Sequence, residues 1–374
     1  MNSLTDSKNA GIQFVAVIVA VSVLSLPAAN SRAMENDPAK VSIDDDGTVH
    51  VPAFKLPLSV YMSEEAKHAY EQKLLHPISP EPSADIARQR EHYNSYLLAP
   101  WLQKAKARYP VNIEARKFAG VQTDVITPKN GIAARNLEHV LINLHGGSFA
   151  FGAGMGGLIE SIPIASVGKI KVISVDYREG PEYKFPAASE DVAAVYKELL
   201  KRYKPQNVGI YGCSAGGVLT GMAVAWFQKE HLPRPGAVGI FCAAADAILG
   251  GDSRYYTAPL EGEIPPPPSP NPPPFPMAYL AEVDLKNPMV SPVFTPAVIT
   301  QFPPTLIITG TRSFELSSAV YTHTQLTKAG VAAELHVWDG MWHGFIYDVE
   351  LPESREAFAA AANFFNLYLG RLAP

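Results

Sequence analysis

The sequence predicts an α/β fold, with a mostly parallel central sheet flanked by helices. Three observations carry this reading. Short, nearly continuous apolar runs such as Val140–Leu144 and Ile170–Val175 have the composition of strands buried on both faces. Segments with apolar residues at helical spacing, such as Glu190–Tyr203, lie between such runs. Strands and helices then alternate toward the C-terminus, as a parallel sheet with crossover helices requires. The 374 residues, 47% of them hydrophobic, suffice for one large core.

The N-terminal segment reads as an export signal. Lys8 gives a weakly positive start, Phe14–Leu26 is apolar and uncharged, and Pro27-Ala28-Ala29 breaks the run. Ser31 and Ala33 then place small residues where a signal peptidase reads them. Residues 1–33 are therefore expected to be a signal peptide. The mature protein is expected to be periplasmic or secreted, without stable membrane insertion after cleavage. An uncleaved anchor over Ile12–Ala29 is the alternative. Residues 34–55 are polar and read as an irregular tail or linker.

Helical patterns follow between Ser63 and Arg108. Ser63-Glu64-Glu65-Ala66 has a hydroxyl cap and acids in the first turn. A second helix is expected from Ser83 through the Arg88–Tyr96 region, separated from the first by Pro77, Pro80 and Pro82. Val111–Phe118 and Val121–Ile126 read as an opening antiparallel pair. The expected core elements are strands Val140–Leu144 and Ile170–Val175, helix Glu190–Tyr203, strand Val208–Tyr211, helix Ala215–Gln228 and strand Ala237–Phe241. Strand Thr305–Thr309, helix Ser317–Ala329, strand Ala333–Trp338 and helix Glu353–Leu372 complete the series.

The alternation stops between Asp246 and Pro303. Pro265–Pro268, Pro270, Pro272–Pro274 and Pro276 exclude a helix interior or a central strand. This insertion reads as extended chain, either part of a lid or a surface linker, and its place between two core strands favours the lid.

Charge and composition exclude several classes. Charged residues make up 18%, the formal net charge is −5, and no basic stripe appears, so nucleic acid is not an expected partner. The only cysteines, Cys213 and Cys242, are too few for a disulfide scaffold, and their pairing is left open. A homodimer is likewise left open.

Three motifs carry chemistry. Gly212-Cys213-Ser214-Ala215-Gly216 follows a strand and opens a helix, a turn that projects the Ser214 hydroxyl above the sheet. His145-Gly146-Gly147-Ser148-Phe149 directly follows Val140–Leu144, and its glycines let backbone amides turn inward. The expected oxyanion donors are the amides of Gly146, Gly147 and Ala215, while His145 is expected to steady the loop. Gly340-Met341-Trp342-His343-Gly344-Phe345 follows the last strand and supplies His343 as general base. Phe149, Tyr183 and Trp342 are candidates for the substrate pocket, with core packing as the competing role.

Together with Asp176-Tyr177-Arg178-Glu179-Gly180-Pro181-Glu182-Tyr183-Lys184-Phe185-Pro186-Ala187-Ala188, these motifs resemble the hormone-sensitive-lipase-like bacterial esterases (family IV) of the α/β-hydrolase superfamily. The order and spacing of the motifs agree over roughly residues 110–372. The resemblance implies an α/β-hydrolase fold with an N-terminal helical cap, hydrolysis of short acyl esters, and no metal or cofactor. Taken with the readings above, the expected division is a signal peptide (1–33), a tail and helical cap (34–109), and a catalytic domain (110–374) with a Pro-rich insertion near 246–303.

Three positions depart from the family pattern. Ser148 stands where a third glycine is usual, and Cys213 where an aspartate often precedes the nucleophile. The family's catalytic aspartate falls on Ser313, which cannot supply a negative charge. Glu315 is the expected replacement, with Asp339, Asp348 or an acid-less dyad as alternatives.

The expected reaction is hydrolysis of short-to-medium acyl esters through a Ser214–His343–Glu315 triad and an acyl-enzyme. Amidase or xenobiotic-ester hydrolase activity at the same site is an alternative. So is a weakened homologue that only binds small molecules.

Overall fold

The computed structural model describes residues 40–77, 81–267 and 277–371. The expected signal peptide and the proline run from Pro268 to Pro276 lie outside the described residues. The chain divides into two compact units, one ending at Lys55 and one running from Leu56 onward. In the first, strands β1 (Ser42–Ile43) and β2 (Val49–His50) form a small antiparallel hairpin, where the sequence reads as irregular tail. A turn closed by Gly47 N donating to Asp44 O makes the reversal.

The second unit begins with helices. Helix α1 (Glu64–Leu75) is capped by Ser63, whose Oγ accepts from Ala66 N at 3.0 Å. Helix α2 (Ile86–His92) is capped by Asp85 and runs without a break through a π-helical turn, Tyr93–Leu98, into α3 (Ala99–Arg108). The second helix thus extends well past Tyr96. The π-turn sets the Tyr93 ring against Phe151, 5.0 Å between centroids, which anchors the helices to the oxyanion loop.

The sheet has eight strands. β3 (Val111–Phe118) and β4 (Val121–Pro128) are antiparallel and form one edge. Next come β5 (Val140–Leu144), entirely buried, and β6 (Lys171–Val175), which pairs β5 in parallel and β4 antiparallel. Between them the chain forms α4 (Met155–Gly168), a helix for which the sequence offers no amphipathic signal. It is buried on nearly all sides and contains Gly156, Gly157 and Pro163, so neither periodicity nor propensity marks it.

Helix α5 (Ala187–Leu199) starts and ends earlier than expected and leads to β7 (Val208–Cys213), parallel to β5 on its other side. Helix α6 (Ala215–Lys229) and strand β8 (Ala237–Phe241) follow. The insertion after β8 contains helix α7 (Ser253–Leu260) and the single turn α8 (Pro296–Ile299). Then come β9 (Thr305–Arg312), α9 (Leu316–Lys328), β10 (Ala333–Trp342) and α10 (Pro352–Tyr368). The strand order is β10-β9-β8-β7-β5-β6-β4-β3, parallel from β10 to β6. The chain moves to opposite sides of β5 after β5 and after β6, a switch point that opens a crevice at the strand C-termini. Among the described residues no helix is long and apolar enough to cross a membrane.

Candidate active site

Ser214 sits in the turn between β7 and α6 with φ 56° and ψ −125°, a left-handed conformation that costs energy outside glycine. Packing holds it there. Ser214 N donates to Phe241 O at 2.8 Å. The start of α6, leaving β7, passes so close to the end of β5 that a Cβ at Gly216 would lie 1.8 Å from Leu144 O, which only glycine avoids.

β10 continues to Trp342 after a register shift and delivers His343 beside this turn. Nε2 of His343 is 2.9 Å from Ser214 Oγ. Its Nδ1 is 2.9 Å from Glu315 Oε2. Glu315 sits at the N-terminus of α9 with its side chain fully buried. Its other oxygen, Oε1, accepts from Thr309 Oγ1 at 2.9 Å and from Ser313 Oγ. Burial pushes the Glu315 carboxyl up. The adjacent His343 and the donated hydrogen bonds outweigh that, and the net shift is below the ordinary carboxylate value.

The alternative acids face elsewhere. Asp339 accepts from Thr311 Oγ1 at 2.9 Å and from Ser59. Asp348 faces Lys104 Nζ at 3.2 Å.

The Gly146 amide does not stand free for its expected role as an oxyanion donor. Gly146 N donates to the buried carboxylate of Glu160 at 2.8 Å, so this amide is committed elsewhere. Among the described residues, the amides of Gly147 and Ala215 donate to no group of the protein. Ser148 adopts φ 55° where the family uses glycine. His145 is buried, with Nδ1 2.8 Å from Gly146 O and its ring stacked 4.2 Å from that of Tyr177. It braces the loop and does not reach Ser214. The Asp176–Ala188 motif performs the same service. Tyr177 Oη donates to His145 O at 2.6 Å, and Asp176 Oδ1 accepts from Gly154 N at 2.8 Å. From α2, Arg90 reaches Ala150 O at 2.8 Å and Gly180 O at 2.9 Å.

The three expected pocket aromatics do not line the pocket. Phe149 is fully buried and stacks on Tyr279, 4.8 Å between centroids. Trp342 packs on Tyr70 at 5.7 Å. Tyr183 is about half exposed, with the Arg178 guanidinium 5.6 Å from its ring centroid. The walls around Ser214 and His343 are instead Ser148, Ala215, Val218, Cys242, Ala243, Leu249, Met277 and Phe314, enclosing a cavity of about 120 Å³. Ser148 and Ala215 belong to motifs marked in the sequence, but Val218, Ala243, Leu249, Met277 and Phe314 do not announce themselves there, because each is an ordinary apolar residue. Leu249 and Met277 belong to the insertion, so its described part forms a wall of the pocket. The same insertion is tied to α1 by Tyr70 donating to Leu260 O and by the Lys73–Glu261 ion pair. Cys213 and Cys242 are both buried free thiols. Among the described residues no group of three or more His, Cys, Asp or Glu side chains could hold a metal ion.

The family described as alpha/beta hydrolase fold matches residues 141–347. An acetyl-hydrolase of Streptomyces hygroscopicus is 30% identical over 77% of this chain and 98% of its own length. An esterase of Acinetobacter venetianus is 24% identical over 71% of this chain and 87% of its own. Among solved structures, esterase E25 superposes with a TM-score of 0.73 at 29% identity, covering 86% of this chain and 98% of that one. An esterase from the bacterial hormone-sensitive lipase family shares the fold, with a TM-score of 0.67 at 24% identity over 82% of this chain and 99% of its own.

Proposed function

Because the chain belongs to the α/β-hydrolase fold family, with the motifs of its hormone-sensitive-lipase-like esterases, we propose that it is a serine carboxylesterase using a Ser214–His343–Glu315 triad. Its relatives named acetyl-hydrolase and esterase support carboxylic ester hydrolysis as the reaction class. The observation that carries the triad is the unbroken relay, 2.9 Å from Ser214 Oγ to His343 Nε2 and 2.9 Å from His343 Nδ1 to Glu315 Oε2.

Ser214 Oγ attacks the ester carbonyl as His343 Nε2 takes its proton. The carbonyl oxygen becomes an oxyanion, which the amides of Gly147 and Ala215 stabilise. Ala215 adds the positive end of α6. The tetrahedral species collapses, His343 returns the proton to the departing alcohol, and the acyl group stays on Ser214. Water, deprotonated by His343, then releases the acid. Glu315 holds the Nδ1–H tautomer and balances the imidazolium charge. The apolar walls formed by Val218, Ala243, Leu249 and Met277 suit an uncharged, short-to-medium acyl chain.

The test is hydrolysis of p-nitrophenyl acetate, butyrate, octanoate and palmitate by wild type and Ser214→Ala, with a p-nitroanilide as the amide control. Activity on the shorter esters that disappears in the variant is expected. No ester activity in a folded wild-type protein would leave a binding role as the better reading.

A further inference from the structure

No sequence motif points to Glu160, which lies in α4 beneath the turn that carries Ser214. Its side chain is buried, and among the described residues no cation pairs with it. It accepts instead from four donors. Oε1 takes Gly146 N at 2.8 Å and Tyr347 Oη at 2.9 Å. Oε2 takes Asn143 Nδ2 at 2.8 Å and Cys213 N at 3.2 Å. A buried carboxylate without a cation is costly, and it persists only where its acceptors are fully used.

The donors come from the parts of the chain that carry the chemistry. Gly146 precedes the oxyanion donor Gly147, and Cys213 precedes Ser214. Tyr347 ends the short helical turn after His343, and Asn143 belongs to the strand that leads into the oxyanion loop. The fit is close: a Cβ at Gly146 would stand 2.3 Å from Tyr347 Oη and 3.2 Å from Ser214 Cβ. One side chain therefore contacts three loops that share no direct covalent link.

We propose that Glu160 is a positioning residue of the hydrolytic site, its carboxylate tying the oxyanion loop, the nucleophile turn and the histidine loop into one register. The inference rests on the ester-hydrolase reading above. Glu160 touches no reacting atom. It acts by fixing where the Gly147 amide, Ser214 and His343 stand relative to one another, and such positioning affects the transition state more than ground-state binding. A glutamine has the same shape but one acceptor oxygen. Its amide NH₂ would face either Gly146 N and Tyr347 Oη or Asn143 and Cys213 N, donor against donor.

The test compares wild type, Glu160→Gln and Tyr347→Phe on p-nitrophenyl butyrate. Affinity for phenylboronic acid, which mimics the tetrahedral species, is the second readout. In Glu160→Gln, kcat is expected to fall about tenfold or more while KM changes by less than about threefold. Boronate affinity should weaken in step with kcat. Tyr347→Phe removes one donor and should lower kcat a few-fold. A folded Glu160→Gln variant with wild-type kcat and boronate affinity overturns the proposal, as does one in which only KM rises. If Glu160→Gln does not fold, an unchanged kcat in Tyr347→Phe overturns it. A wild-type protein that hydrolyses no ester overturns the ester-hydrolase reading itself, and this inference with it.

Discussion

Ser313 donates its hydroxyl hydrogen to Oε1 of Glu315, while Oε2 of the same carboxylate stands 2.9 Å from His343 Nδ1. The serine stands at the position where the sequence resemblance implies an acid. In the proposed triad the acid is Glu315, and Ser313 is a donor that helps fix it. From the start of α9 the glutamate side chain reaches His343 directly.

Replacing this acid should be costly to turnover and cheap to the fold. Glu315→Gln keeps the volume and the contacts with Ser313 and Thr309 but loses the charge opposite the imidazolium. By analogy with other triads, kcat is expected to fall by about 10³–10⁴. Steady-state kinetics alongside circular dichroism decide this, and a fully active variant would remove Glu315 from the triad.

Ser313→Ala should have a milder effect. The carboxylate keeps Thr309 and His343 but loses one donor, so a several-fold loss in kcat is expected, and Ser313→Thr should largely restore it. No change in the alanine variant would reduce Ser313 to a packing residue.

Covalent trapping tests the nucleophile separately from turnover. A p-nitrophenyl phosphonate should release one equivalent of nitrophenol and leave an adduct on the peptide containing Ser214. His343→Ala should slow this inactivation by orders of magnitude. An adduct on another residue would refute the assignment.

The pocket wall offers a test of acyl selectivity. Ala243 lies beside Ser214, and Ala243→Leu adds bulk where the acyl chain is expected. Relative to acetate, kcat/KM for butyrate and octanoate should fall by about tenfold or more, given roughly 1–3 kcal/mol per methylene accommodated or refused. Equal losses on all esters would place the acyl chain elsewhere.

The two buried carboxylates should affect stability in opposite directions with pH. Glu315 is held below its ordinary value of 4.5. Its contribution is therefore full above that value and is lost as pH falls through the lowered folded value. Burial pushes Glu160 up to about 7, and the side chains facing it, Tyr93, Tyr177, Tyr211, Tyr347 and Cys213, carry no positive charge. Between the ordinary value of 4.5 and about 7 the folded state holds the Glu160 proton and the unfolded state does not. Stability due to this group therefore falls as pH rises through that window. Urea midpoints from pH 4 to 8 should show wild type losing stability relative to Glu160→Gln, by on the order of 3 kcal/mol across the window. The same measurement on Glu315→Gln should show its deficit shrinking only at the acid end.

Local chemistry made much of this protein legible in its sequence. The apolar runs at 140–144 and 237–241 became strands with the expected bounds, because a strand buried on both faces leaves an unbroken apolar signature. Gly212 to Gly216 marked the turn that carries Ser214 because only glycine permits so close an approach of helix and strand. The tertiary structure alone decided what depends on residues far apart in the chain. Helix α4 carries no periodicity because it is buried all round, so both it and the Glu160 it holds stayed hidden. Whether the Gly146 amide faces an oxyanion or a carboxylate depends on that helix, and whether Phe149 lines a pocket or packs on Tyr279 depends on the insertion. The sequence limited the acid to a few carboxylates. The packing of α9 on β9 and β10 aimed Glu315 at His343, because direction in space is set by contacts between segments and not by spacing along the chain.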